Sequence, residues 1–290
     1  MLSLKSKKAI SFLFVLPTMG VLFFTTIFPF AYTFGLSFFR WTYQLAGRPF
    51  VGVQNYMQVF FDERYLSALR TTLIILSSAL SLEFILGFVL ALIFVEEFKA
   101  KNVILTILVL PIMMLPIVVG FTWKLLFNNQ YGPINQILRY FLGEKTHILW
   151  VAKTKTAFLS IIIADVWEWT PFVFLVLLAG LTSLPSEVYE SAAIDGASAW
   201  AQFKYITLPS MRPIIAIVLL FRGLECFRIF DIVVALTRGA PGTTTETISL
   251  YLYRIGFQHF RLGYGAAANI ILLIIVVVIL GLLVKSLRLE

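Results

Sequence analysis

Apolar residues run along this chain in stretches long enough to cross a bilayer, whose core takes about 20 mostly apolar residues per helix. Six stretches qualify: Phe12–Phe39, Ala68–Val95, Val103–Phe127, Ala157–Leu181, Pro213–Leu236 and Tyr264–Val284. The first is too long for a signal-peptide core and lacks a small-residue cleavage pattern after it, so it reads as a retained helix loosened by Pro17 and Pro29. Pro111, Pro116 and Pro171 also fall inside spans, where neighbouring helices must re-satisfy the freed carbonyls. They predict a packed bundle around a pathway and argue against isolated anchors. The expected fold class is an all-α membrane protein of six transmembrane helices, one domain over residues 1–290. Between the spans, the stretch Glu96–Asn102 is minimal, whereas Thr182–Arg212 is long and carries helical signals of its own.

Composition agrees with lipid as the solvent. Hydrophobic residues make up 60% of the chain and charged residues 13%, where soluble domains carry about a quarter charged. The net charge of +8 does not point to nucleic acid. Beyond Lys5, Lys7 and Lys8 the basic residues are scattered at the ends of apolar runs, where snorkelling and anionic head groups account for them. Lysines ahead of the first span place both termini in the cytoplasm, with Lys99, Lys101, Lys204, Arg212, Lys285 and Arg288 inside as well. Arg40, Arg48, Arg139, Lys145, Lys153 and Arg261 then lie in longer outer loops. The single cysteine, Cys226, excludes a disulfide framework and a cysteine zinc site within one chain. His147 and His259 stand in outer loops with no H-E-x-x-H or nucleophile-elbow pattern, so an enzyme is not expected.

The stretch from Leu181 to Pro209 parses as helix, turn, helix. Ser183 is placed to cap, Pro185 suits a first turn, and Glu187 complements the helix dipole. Val188, Ala192 and Ala193 share one side, Gly196 permits a reversal, and a second short helix runs from Ala199 to Tyr205. From these residues alone the segment is either a surface-lying connector or a face on which a cytoplasmic partner docks.

The same loop resembles the signature loop of permeases of binding-protein-dependent ABC importers. Glu190, Ala192, Gly196, Ile206, Leu208 and Pro209 match that pattern, and Ser191 departs where alanine is usual. The resemblance covers nearly the whole chain and points to the sugar branch, in particular the subunit type of maltose and glycerol-3-phosphate systems. The segment from Trp41 to Tyr56, Tyr131–Asn135, V-W-E-W-T-P-F from Val166, Phe230–Asp231, L-T-R-G-A-P-G from Leu236, T-E-T-I-S-L-Y-L-Y-R from Thr245 and L-G-Y-G-A-A from Leu262 carry it. Arg238 and Ala240 depart from the glycine-rich form. The resemblance implies a permease in the inner membrane of a prokaryote, with a second related permease, two cytoplasmic ATPase subunits and an external solute-binding protein as partners. A coupling helix bearing Glu187, Glu190, Ala192, Asp195 and Gly196 would dock in an ATPase subunit. ATP and Mg would be bound there, since this chain has no phosphate loop and no cofactor of its own.

Charges inside spans are costly and usually face protein or water. Arg222, Glu225, Arg228 and Asp231 follow one another at intervals of three in the fifth span, and Asp165 and Glu168 interleave with Trp167 and Trp169 in the fourth. Two readings stand. The set Trp167, Glu168, Trp169, Arg222, Glu225, Arg228 and Asp231 lines a pathway suited to a sugar's apolar faces and hydroxyl rims, or the charges form structural pairs between helices. Glu83, alone in the second span, reads as a helix–helix partner. A proton-coupled carrier using Glu168, Glu225 or Asp231, and an importer of glycerol-3-phosphate using Arg222 and Arg228, are the alternatives to sugar import.

Overall fold

The structure, a computed structural model, describes residues 4–44, 47–143 and 147–286; Lys145 and Arg288, and the side chains of Lys5, Lys7 and Lys8, lie outside the described residues. Among the described residues the elements are helical, and the β pairing is a single isolated bridge between Phe39 and Phe50. Four helices are long and apolar enough to cross a membrane: Phe12–Leu36, Glu63–Val95, Thr154–Thr182 and Leu262–Leu283. Two bent pairs bring the number to six, Lys101–Met113 with Pro116–Leu126 at 102° and Ala199–Ser210 with Arg212–Phe227 at 61°.

The third and fifth stretches are thus broken helices and not continuous ones. In the third, Pro116 bars the helical conformation to Leu115, which is extended at φ −71° and ψ 134°. In the fifth, the Arg212–Phe227 helix stops at Arg228, Phe230 leaves the helical region, and a new helix, Asp231–Leu236, starts with Asp231 in its first turn. Arg222 and Asp231 consequently lie on different helices, and the regular three-residue ladder breaks between them.

Pro29 and Pro209 are absorbed by widening, whereas the Thr154–Thr182 helix runs through Pro171 without a break. A π turn at Phe23–Ile27 precedes Pro29, and another at Phe203–Thr207 precedes Pro209. In each, the residue just before the proline donates five residues back, Phe28 to Phe23 and Leu208 to Phe203. A proline ring would clash with the carbonyl four residues behind it, and the wider turn swings that carbonyl aside. The second short helix expected over Ala199–Tyr205 is thus an α turn, Ala199–Gln202, continued as this π turn to Leu208–Ser210.

The chain divides into two compact units, Met1–Asp62 with Leu252–Ile274, and Glu63–Tyr251 with Ile275–Glu290. In the second unit, the Glu63–Val95 and Thr154–Thr182 helices pack along much of their length. Gly87 makes the approach close: a Cβ there would sit 2.8 Å from Val173 Cγ1 and 2.9 Å from the Phe174 nitrogen. Lipid supplies no hydrophobic drive between helices, so contact of this kind, through small residues, is what holds spans together. Apolar clusters form around Ile75, Phe127, Ile161 and Ile232, and around Phe94, Phe174, Leu177 and Met211.

Polar clamps fix the connections. Asn135 is fully buried, donating to the Ile148 carbonyl at 3.1 Å and accepting from Trp150 Nε1 at 3.0 Å, while the Trp150 ring stacks on Phe127. The loop after Leu236 is held by Arg64, which makes two bonds to the buried Glu246 at 2.7 and 2.8 Å, and by the Thr237–Thr245 hydroxyl pair. Arg238, which departs from the glycine-rich pattern, adopts a left-handed φ of 53° there, a conformation that costs a side-chain-bearing residue about 1–2 kcal/mol.

Candidate functional site

The loop between the Thr154–Thr182 and Arg212–Phe227 helices folds around one exposed helix, Ser186–Ile194. Pro185 stands at its N-cap, Glu187 lies in its first turn, and Ser183, expected to cap it, instead ends the preceding helix with its hydroxyl donating to the Gly180 carbonyl at 2.7 Å. The far end is a Schellman reversal. Gly196 donates to the Ala193 carbonyl and Ala197 to the Ala192 carbonyl, with Gly196 at φ 76°. Ser198 then caps the next helix by accepting from the Ala201 nitrogen. The Tyr189 hydroxyl meets Thr207 Oγ1 at 2.9 Å, tying the exposed helix to the π turn before Pro209.

Glu187, Glu190, Asp195 and Gly196 are exposed on this element, and Ala192 is half-buried. Ser191 turns its hydroxyl back onto the Glu187 carbonyl at 2.8 Å, so its departure from alanine adds no free polar group. Large apolar side chains also stand out to solvent here, Ile194 at 87% exposure with Trp200 and Tyr205 beside it in sequence. Their signal was available in the sequence as bulky apolar residues inside a polar loop.

In the membrane-spanning part, Arg222 is buried and shared by two helices. Its Nε and Nη2 donate to Glu83 at 2.6 and 2.8 Å, and Nη2 also donates to Asp165. The guanidinium carbon lies 4.8 Å from the Trp169 ring centroid. Arg222 thus faces across the bundle and not along its own helix toward Glu225. The clue was one acid in each adjoining span, Glu83 and Asp165. Glu225 pairs instead with Arg228 at 3.3 Å in an exposed contact.

Beside the triad lies a polar cavity of about 70 Å³ lined by Asp165, Trp169, Arg222, Glu225, Arg228 and Asp231, with Pro116 and the Ile229–Ile232 turn closing it. The structure thus brings together Trp169, Arg222, Glu225, Arg228 and Asp231. It places Trp167 elsewhere, and Glu168 outside the lining but close enough to interact electrostatically with Asp165, Arg222 and Asp231. Trp167 lies edge-on to Trp123 in an apolar groove of about 510 Å³ with Leu82, Leu86, Ile107 and Val166. Glu168 is buried, and its Oε2 has no hydrogen-bond partner among the described residues.

Residues 83–288 match the family described as binding-protein-dependent transport system inner membrane component. The trehalose/maltose transport system permease protein MalF of Thermococcus litoralis is 38% identical over 269 residues, covering 92% of this chain and 89% of that protein. The trehalose transport system permease protein SugA of Mycobacterium tuberculosis is 30% identical over 281 residues, covering 97% and 89%. Among solved structures, a chain from a bacterial ABC transporter involved in the import of the acidic polysaccharide alginate aligns with a TM-score of 0.83 at 25% identity, over 97% of this chain and 96% of its own. A match over residues 83–288, and relatives aligned over nearly their full length, place this chain in the family of binding-protein-dependent transport system inner membrane components, the permease subunits of ABC importers.

Proposed function

We propose that this chain forms one wall of the pathway for ATP-driven uptake of a neutral sugar, as a single permease domain with both termini in the cytoplasm. The observation that carries the ATP-driven part is the exposed Ser186–Ile194 helix, which ends in a rigid reversal at Gly196 and presents Ile194 to solvent between acidic side chains. Such a face suits insertion into a cleft of an ATPase subunit, with Glu187, Glu190 and Asp195 meeting basic groups and Ala192 allowing close approach. ATP and Mg would be held by two such ATPase subunits, and this chain would be non-catalytic. A second permease would supply the opposite wall, and an external binding protein would deliver the solute.

The side chains around the polar cavity support the substrate class as one wall of a site, since about 70 Å³ is too small to enclose a sugar by itself. Trp169 offers an apolar ring face, and carboxylates beside it accept from hydroxyls. Two arginines line the cavity against three carboxylates, and Arg222 is already engaged by Glu83 and Asp165. That balance disfavours an anion such as glycerol-3-phosphate, which calls for an excess of basic groups.

The test is co-expression with the genomic neighbours, pull-down on this chain, and ATPase assay with binding protein and sugar. Recovery of a second permease and an ATPase, with stimulation abolished by Gly196→Pro, supports the proposal. A chain that purifies alone and takes up solute in response to a proton gradient without ATP overturns it.

A further inference from the structure

We infer that the unit built from residues 1–62 and 252–274 carries a binding site for the phosphate of an anionic phospholipid head group, formed by Arg40, Arg48 and Arg261 around Trp41. The inference is independent of the transport reading. Arg40, Trp41, Thr42, Gln58, Arg261 and Tyr264 line a cavity of about 130 Å³. At ~30 Å³ per water, that is room for a few waters or one tetrahedral anion. Arg48 lies over the Trp41 ring, its guanidinium carbon 3.5 Å from the centroid, and Arg261 lies 4.4 Å from the Tyr264 ring.

The cavity is held by its backbone. Arg40 donates from its nitrogen to the Pro49 carbonyl, Gly263 to the Trp41 carbonyl and Tyr43 to the Phe260 carbonyl. Gly263 is pressed so closely on this turn that a Cβ would fall 2.0 Å from the Phe39 oxygen. Asn55 is buried beneath, donating to the carbonyls of Ser37 and Phe39.

The charges are unmatched. Among the described residues none of the three arginines has an ion pair. Among the described residues the Arg40 guanidinium donates only to the neutral Gln54 side chain, at 3.1 Å. The carboxylate in the same unit that reaches the cavity wall, Asp62, accepts from the Tyr264 hydroxyl at 2.6 Å. Guanidinium groups with free donors on a fixed frame bind phosphate oxygens in pairs. A second observation sets the source of the phosphate. The arginines share this turn with Trp41, Tyr43 and Tyr264, the residue types enriched at head-group level. The exposed Phe39–Phe50 and Tyr43–Phe260 ring pairs offer apolar surface for acyl chains.

The test uses the full chain in vesicles of phosphatidylcholine and phosphatidylglycerol, extracted into mild detergent, with retained lipid read by native mass spectrometry. Phosphatidylglycerol is expected to be retained over phosphatidylcholine, and Arg40→Gln with Arg261→Gln to reduce that retention on the order of 30-fold, two surface charges' worth. Arg40→Lys with Arg261→Lys keeps the charge but not the paired donors, so retention should fall between wild type and the glutamine pair, which separates lost charge from lost fold. Unchanged phosphatidylglycerol retention in the glutamine pair overturns the site. Displacement of the lipid by millimolar inorganic phosphate overturns the lipid assignment, leaving a site for free phosphate.

Discussion

Arg222 uses one guanidinium to join three spans, and its value lies in what its removal would leave behind. Glu83 and Asp165 are buried with it, so Arg222→Met would strand two carboxylates away from water. Breaking a buried pair from one side costs about 3–5 kcal/mol, and the variant should lose most of its yield and melt far below wild type in detergent. Glu168→Gln makes the opposite case. It replaces a buried acid whose Oε2 has no hydrogen-bond partner among the described residues and which lies near Asp165 and Asp231, so the melting midpoint should hold or rise, read on the same assay. Gly196 separates backbone from packing: a Cβ there meets nothing within 4 Å, yet its φ is 76°. Gly196→Ala should therefore cost only about 1 kcal/mol. Proline, locked near −65° and lacking the N–H that bonds Ala193, should undo the reversal and with it the stimulated ATPase.

At the scale of elements, the spans were legible because lipid imposes a length and a composition that few soluble segments share. Their breaks were only half legible. Proline marked where a helix was under strain, but the outcome differed each time: a bend at Leu115–Pro116, π turns ahead of Pro29 and Pro209, and an uninterrupted helix through Pro171. Which one occurs depends on what neighbouring segments can accept, and that is not local information. The exposed helix of the Thr182–Arg212 loop permits a sharper prediction. Ile194→Asp alters a solvent-facing side chain and should leave the melting midpoint unchanged. It should lower binding-protein-stimulated ATPase about tenfold or more, equivalent to ~1.4 kcal/mol of docking energy. Stimulation equal to wild type would mean that the ATPase docks elsewhere.

For the molecule as a whole, the proposed topology, with six spans and both termini in the cytoplasm, would expose the Arg48 loop outside and Gly196 inside, and the native cysteine assists the test. Cys226 is the only one in the chain and is buried, so single cysteines can be introduced on a quiet background. An impermeant maleimide added to intact cells should label Arg48→Cys and leave Ser186→Cys untouched until the membrane is opened. The reverse pattern would invert the proposed orientation. The sequence by itself determined that the chain lives in lipid, roughly where it crosses, and which long loop between spans folds as helix, turn, helix. Those properties are written in runs of neighbouring residues, where hydropathy, proline and glycine act locally. Only the tertiary structure decided the partners of the buried charges. Arg222 sits three residues from Glu225, yet it turns to acids 139 and 57 positions away. The triad must be satisfied within the buried bundle, whereas Glu225 and Arg228 remain exposed. The same packing sorted Trp169 into the polar cavity and Trp167, two residues earlier on the same helix, into an apolar groove. Two residues along a helix turn a side chain by about 200°, and what it meets there is set by neighbouring segments distant in the chain.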